Sequence, residues 1–164
     1  MLHLPLPEYI LLIPAIPICI WVAYSDMKFM RIPNVACYAL FIGFLLIGPL
    51  ILDLHEYGIR IAQAFVVLFI GFFVTSMGFA GGGDSKFAAA MAPYIALGKI
   101  IPFIFIIGIM SLFLIGLHKL IGVTPGLKNL IKDWDSWNAY GMFPYGVTLT
   151  ASLITYLLIN TWYS

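Results

Sequence analysis

The sequence predicts an all-α integral membrane protein: a six-span helical bundle with a short fourth span and an interfacial amphipathic helix before span 6. Three observations carry this reading. Apolar residues fill 63% of the 164 positions and charged residues only 9%, against roughly 25% charged in an ordinary globular domain. The apolar residues come in runs near the ~20 residues that cross a bilayer as a helix, without the alternation of a membrane barrel. The bases collect in alternate loops, as a multi-span topology requires. No stretch of 1–164 is long and polar enough for a separate soluble unit, so a single transmembrane domain is expected.

Taken in order, the apolar runs place span 1 at Tyr9 to Tyr24, span 2 at Val35 to Leu52 and span 3 at Ile59 to Phe79. Span 4 is short, Phe87 to Leu97; span 5 covers Ile100 to Leu117 and span 6 Tyr145 to Trp162. At 1.5 Å per residue span 4 cannot cross ~30 Å alone, so its flanks must extend it or it must sit partly inside the bundle. Span 1 has no Lys or Arg before Lys28, which argues for a retained helix rather than a cleaved signal. Pro14 and Pro17 should kink it. Gly43, Gly48, Gly71, Gly108 and Gly116 are expected to allow close helix packing. Between spans 5 and 6, Leu127, Leu130, Ile131 and Trp134 recur at helical spacing after a turn at Pro125-Gly126, with Lys128, Lys132 and Asp133 opposite.

Lys28, Arg31, Lys86, Lys119, Lys128 and Lys132 fall in the loops after spans 1, 3 and 5, while Arg60 and Lys99 fall on the other side. The positive-inside rule puts the first set in the cytoplasm and both termini outside. The net charge of +1 gives no basic footprint for nucleic acid, so the expected surroundings are lipid. Cys19 and Cys37 have no CxxC spacing and read as small apolar residues.

The most unusual stretch is Gly81-Gly82-Gly83-Asp84-Ser85-Lys86, at the start of span 4. The topology brings Asp84 to the same membrane face as Asp26, at the end of span 1. Two carboxyl groups at one depth suit aspartyl hydrolysis, in which an ionised acid activates water while a protonated partner donates to the carbonyl oxygen. Glycines without side chains would let a peptide backbone approach the acid. The plainer reading makes Gly81 to Ser85 a turn and helix cap and Asp26 a solvated acid past the span. Other chemistries fail on the residues. No Lys-Ser or Lys-Thr follows the glycines as a P-loop needs, and Lys86 stands where a dinucleotide fold needs glycine. His55-Glu56 lacks the second His of a zinc protease, and His3, His55 and His118 stand alone, so neither metal nor cofactor is expected. An ion-coupled transporter using the two acids, or a non-catalytic scaffold, remains open at this point.

Gly81-Gly82-Gly83-Asp84 fits the GxGD pattern of membrane aspartyl proteases, and with Ser85-Lys86 it resembles the short form of the type IV prepilin peptidases. Asp26 to Asn34, an acid followed by Lys28, Arg31 and Ile32-Pro33-Asn34, is similar to a second family segment, and Pro144-Tyr145-Gly146 to a third. The resemblance implies an inner-membrane peptidase that cuts the basic leader of prepilins or pseudopilins at the cytoplasmic face. It implies Asp26 and Asp84 as catalytic acids. Gly81, Gly82, Gly83, Lys86 and Pro144 would contact the substrate. The cysteine-rich insert of longer members is missing, so their methyltransferase activity is not expected. Asn34 is expected to cap span 2 with Pro33 setting its direction. Asp133 and Asp135 are rival acids in a polar, Trp-rich loop and read as solvated.

Overall fold

The structure, a computed structural model, describes residues 8–123, 133–138 and 143–162. Among them the regular structure is entirely helical. The helices are α1 (Leu12–Phe29), α2 (Asn34–Ile51), α3 (Leu54–Ser76), α4 (Gly82–Met91), α5 (Ile100–Val123), α6 (Asp135–Asn138) and α7 (Tyr145–Trp162). Among the described residues four segments are long and apolar enough to cross a membrane: Tyr9–Phe29, Asn34–Ile51, Leu54–Ser76 and Leu97–Val123. The apolar part of α7, Tyr145–Asn160, is shorter. The expected amphipathic helix falls on residues outside the described ones, except for Trp134 and Asp133.

α1 runs five residues past its predicted end at Tyr24, and Asp26 is therefore inside the helix and buried. The extension holds because its polar groups find local partners. Ser25 Oγ donates to the Arg31 carbonyl at 2.8 Å, and Lys28 Nζ donates to the Tyr24 hydroxyl at 2.9 Å. Met30, at φ 50°, then closes the helix in the left-handed conformation, its N–H on the Asp26 carbonyl.

α4 is ten residues long and gives way to 3₁₀ turns at Ala92–Tyr94 and Leu97–Lys99. Pro93 starts the break, since it has no N–H for a helical bond. Backbone groups freed at this depth need partners from the bundle. Gln63 Nε2 donates to the carbonyls of Ala92 (2.9 Å) and Ile95 (3.3 Å), and the Ala96 N–H donates to the Tyr156 hydroxyl (3.1 Å). Tyr94, fully buried, donates its hydroxyl to the Leu40 carbonyl at 2.8 Å. The short fourth segment is thus an internal element, with Phe87, Met91 and Tyr94 in the core.

α4 packs on both α2 and α3, which barely touch one another; α7 packs on α1 and α5. Close approach is made at Gly43 against Pro14, Gly48 against Tyr57 and Gly71 against Ser85, where an added Cβ would lie 2.7–2.9 Å from its neighbour. Gly108 and Gly116 have open space instead, because most of α5 faces outward. Arg60, expected at the outer end of span 3, is 1% exposed on α3 and pairs with Glu56 one turn earlier at 2.6 Å. Cys19 and Cys37 are buried and unpaired.

Candidate active site

The polar ends of several helices meet at one end of the bundle. The last turn of α1, the first turn of α2 and the glycine-rich start of α4 surround a cavity of about 1020 Å³. Asp26 and Asp84 both line it, with Gly81, Gly82, Gly83, Lys86, Arg31, Asn34 and Asp135. The two sequence-predicted acids therefore share one space and are near enough for their charges to act on each other.

Asp26 is anchored from the far end of the chain. The N–H of Gly146, in the first turn of α7, donates to its Oδ2 at 2.7 Å. An α-helix leaves its first N–H groups without internal partners and carries partial positive charge there, so a carboxylate on α1 is a natural cap for α7. A side chain at position 146 would have to displace its neighbours. A Cβ there would lie 2.7 Å from Asp26 Oδ2, 2.8 Å from Ile32 Cδ1 and 3.0 Å from Asp26 Cγ.

Asp84 sits at the third position of α4, with its carboxyl close to Gly81, the residue that caps the helix. Burial pushes the Asp84 carboxyl above its ordinary range, and the Gly81 N–H draws it partly back. The glycines are not equivalent. A Cβ at Gly81 would meet Asp84 Oδ2 at 2.8 Å, one at Gly83 would meet Ile32 Cβ at 3.3 Å, and one at Gly82 would meet nothing closer than Thr75 Cγ2 at 3.8 Å. α4 is fixed to α3 by the Thr75 and Ser85 hydroxyls, 2.8 Å apart.

Pro144 is fully buried and does not line the cavity. It stands at the start of α7, where its carbonyl accepts from the Val147 N–H at 3.2 Å, and so sets the turn that presents Gly146. Asn34 does not cap α2: Pro33 occupies the cap position, and Asn34 Oδ1 instead accepts from Lys86 Nζ at 3.2 Å. An ammonium across the gap outcompetes the helix's own amides for that oxygen. Asp135 is exposed at the rim; Asp133, also exposed, does not line the cavity. The contact to Gly146 lies 120 residues from Asp26, and its only trace in the sequence is the Pro-Tyr-Gly opening of span 6. No group of three or more His, Cys, Asp or Glu among the described residues could hold a metal ion.

Fold and site together define a helical membrane protein with a large polar cavity built on two carboxyl groups from separate helices, Asp26 buried and Asp84 half-buried. Residues 13–117 match the type IV leader peptidase family, and the chain belongs to that family. The matched span contains Asp26 and the whole of Gly81 to Lys86, while Asp135 and Gly146 lie beyond it. No curated protein and no solved structure matches the chain.

Proposed function

We propose that the protein is a two-aspartate endopeptidase that removes the basic leader of type IV prepilin or pseudopilin precursors at the cytoplasmic face of the inner membrane. The observation that carries this reading is the convergence of Asp26 and Asp84 on one cavity floored by glycine. The scissile peptide lies extended along Gly81 to Gly83, where no side chain obstructs its backbone. One carboxylate takes a proton from water as the oxygen attacks the carbonyl carbon. The other carboxyl gives its proton to the carbonyl oxygen. On collapse of the tetrahedral species the C–N bond breaks, the newly protonated carboxyl gives its proton to the leaving nitrogen, and the other carboxylate takes one from a hydroxyl of the intermediate, which returns the pair to its starting state. The shared proton belongs to the pair rather than to either residue.

The surrounding charges suit such a substrate. Asp135 at the rim attracts the basic leader, and Lys86, held by Asn34, meets acidic groups of the precursor. Pro144 acts through Gly146, by placing its N–H on Asp26.

The topology follows the same reading. Tyr24 on α1 contacts Trp134, and His118 near the end of α5 stacks on Trp137 at 3.7 Å, so α5 ends near the site. α3 also ends there, and in this reading span 4, Phe87 to Leu97, carries the chain back to the opposite face, for six crossings in all. Lys28, Arg31, Lys86 and Lys119 collect at the site end, which the positive-inside rule assigns to the cytoplasm, with both termini outside. Acids at helix ends fit poorly with an ion-coupling site near the midplane.

The test is co-expression with a prepilin precursor, read as a size shift on a gel. Processing is expected with the wild type and lost with Asp26→Asn or Asp84→Asn, each of which still inserts. Unchanged processing in either variant refutes the assignment.

A further inference from the structure

A second, apolar groove of about 320 Å³ opens on the flank of the bundle next to the active-site cavity. Three helices supply its walls, each through a stripe at helical spacing. α2 gives Asn34, Cys37, Tyr38 and Phe41; α3 gives Ala64, Phe65 and Leu68; α4 gives Lys86, Ala89 and Ala90. It exists because α2 and α3, joined at Leu52-Asp53, spread apart toward the site end, with α4 wedged between them. The alanines of α4 and Ala64 form a low floor. The flanks are open to the outside: Tyr38 is 66% and Phe65 62% exposed.

The groove is continuous with the cavity. Lys86 and Asn34, joined at 3.2 Å, line both spaces. A chain lying across the glycines can thus pass over this polar pair directly into an apolar trough that faces lipid. We infer that the groove between α2 and α3 holds the apolar helical segment of the substrate that adjoins the cleavage site, so that the precursor reaches Asp26 and Asp84 sideways out of the bilayer. The inference rests on the peptidase reading proposed above.

The physical case lies in the lining. In lipid, helices associate through close packing rather than through loss of apolar surface from water, and small residues at the contact let the backbones approach. Ala64, Ala89 and Ala90 provide such a floor, and Tyr38, Phe41, Phe65 and Leu68 provide the side walls. A free acyl chain would fill the same space without using its junction with the catalytic cavity.

The test is photo-crosslinking in native membranes with the Asp84→Asn variant, which retains uncut precursor, co-expressed with a prepilin precursor whose leader is followed by an apolar helix. p-Benzoylphenylalanine replaces Tyr38 in the groove, Phe29 in the cavity, or Ile109 on the lipid-facing side of α5 as a control. Adducts to the precursor from positions 38 and 29 but not from 109 are expected, with the site-38 adduct mapping to the apolar segment. An adduct from 29 with only lipid adducts at 38 overturns the groove and leaves the peptidase intact. A precursor adduct at 109 as strong as at 38 overturns it equally. No precursor adduct at either 29 or 38 removes the peptidase reading and the groove with it.

Discussion

Replacing Gly146 by Ala tests whether the geometry around Asp26 carries the chemistry. The new Cβ would lie 2.7 Å from Asp26 Oδ2 and 3.0 Å from Cγ, well inside ordinary contact, so the carboxyl must swing away. The bond that it leaves is the 2.7 Å one from the Gly146 N–H. Hydrogen bonds to a charged group contribute about 1.5–3 kcal/mol, and 1.4 kcal/mol is roughly tenfold in rate. Loss of that bond with a few tenths of an ångström of displacement predicts a fall in kcat/KM of about 10- to 150-fold. Ile32, whose Cδ1 is the other close atom, is the end of a flexible side chain and can give way, so the fold should survive. The assay is leader removal by purified protein in detergent, with circular dichroism melting as the control. Gly146→Ala at the wild-type rate, with the protein intact, would refute the claim that α7 positions Asp26.

Three further outcomes follow from the same contacts. Alanine at the three glycines should reduce cleavage in the order Gly81, Gly83, Gly82, since the nearest obstructions stand at 2.8, 3.3 and 3.8 Å; equal losses in a rate assay would contradict the ranking. Because burial raises the Asp84 carboxyl, its neutral form adds stability at low pH and that contribution is lost as pH rises through the raised value. Asp84→Asn should therefore melt above the wild type at neutral pH, with the gap closing below about pH 4, as thermal melts at several pH values will show. Asp135→Asn removes a rim charge worth about 0.2–1 kcal/mol, so KM for a basic leader should rise roughly 1.5- to 5-fold with kcat unchanged; initial-rate kinetics check this, and a collapse of kcat would make Asp135 part of the chemistry.

The site's two halves were unequally legible in the sequence. Gly81 to Asp84 stood out because three glycines and an acid between apolar runs have few other uses, and the structure lines the cavity with all four. Asp26 was visible as an acid at the correct end, yet its burial was not. Tyr24, Ser25 and Lys28 looked like the edge of a span, whereas they continue the helix by bonding to one another and to Arg31. Local polarity marks where a span meets water; it does not mark where a helix stops. The Gly146 contact is long-range, and the turn at Pro144 announced only that a helix begins. Asn34 had the cap's chemistry, but Lys86 from α4 claimed its oxygen. The break after α4 was implied by length alone. Its partners Gln63 and Tyr156, which make it tolerable inside the bundle, come from helices 29 to 60 residues away.

The central claim is that Asp26 and Asp84 act as one unit on one peptide bond, and a double-mutant cycle measures it most directly. Leader cleavage would be followed by purified wild type, Asp26→Asn, Asp84→Asn and the double variant, with Asp133→Asn, exposed and off the cavity, as control. Members of a single catalytic unit are strongly non-additive. The prediction is that each single change abolishes cleavage to the level of the double variant, while Asp133→Asn cleaves as the wild type does. Additive losses from Asp26 and Asp84, or full activity with either one replaced, would contradict the account.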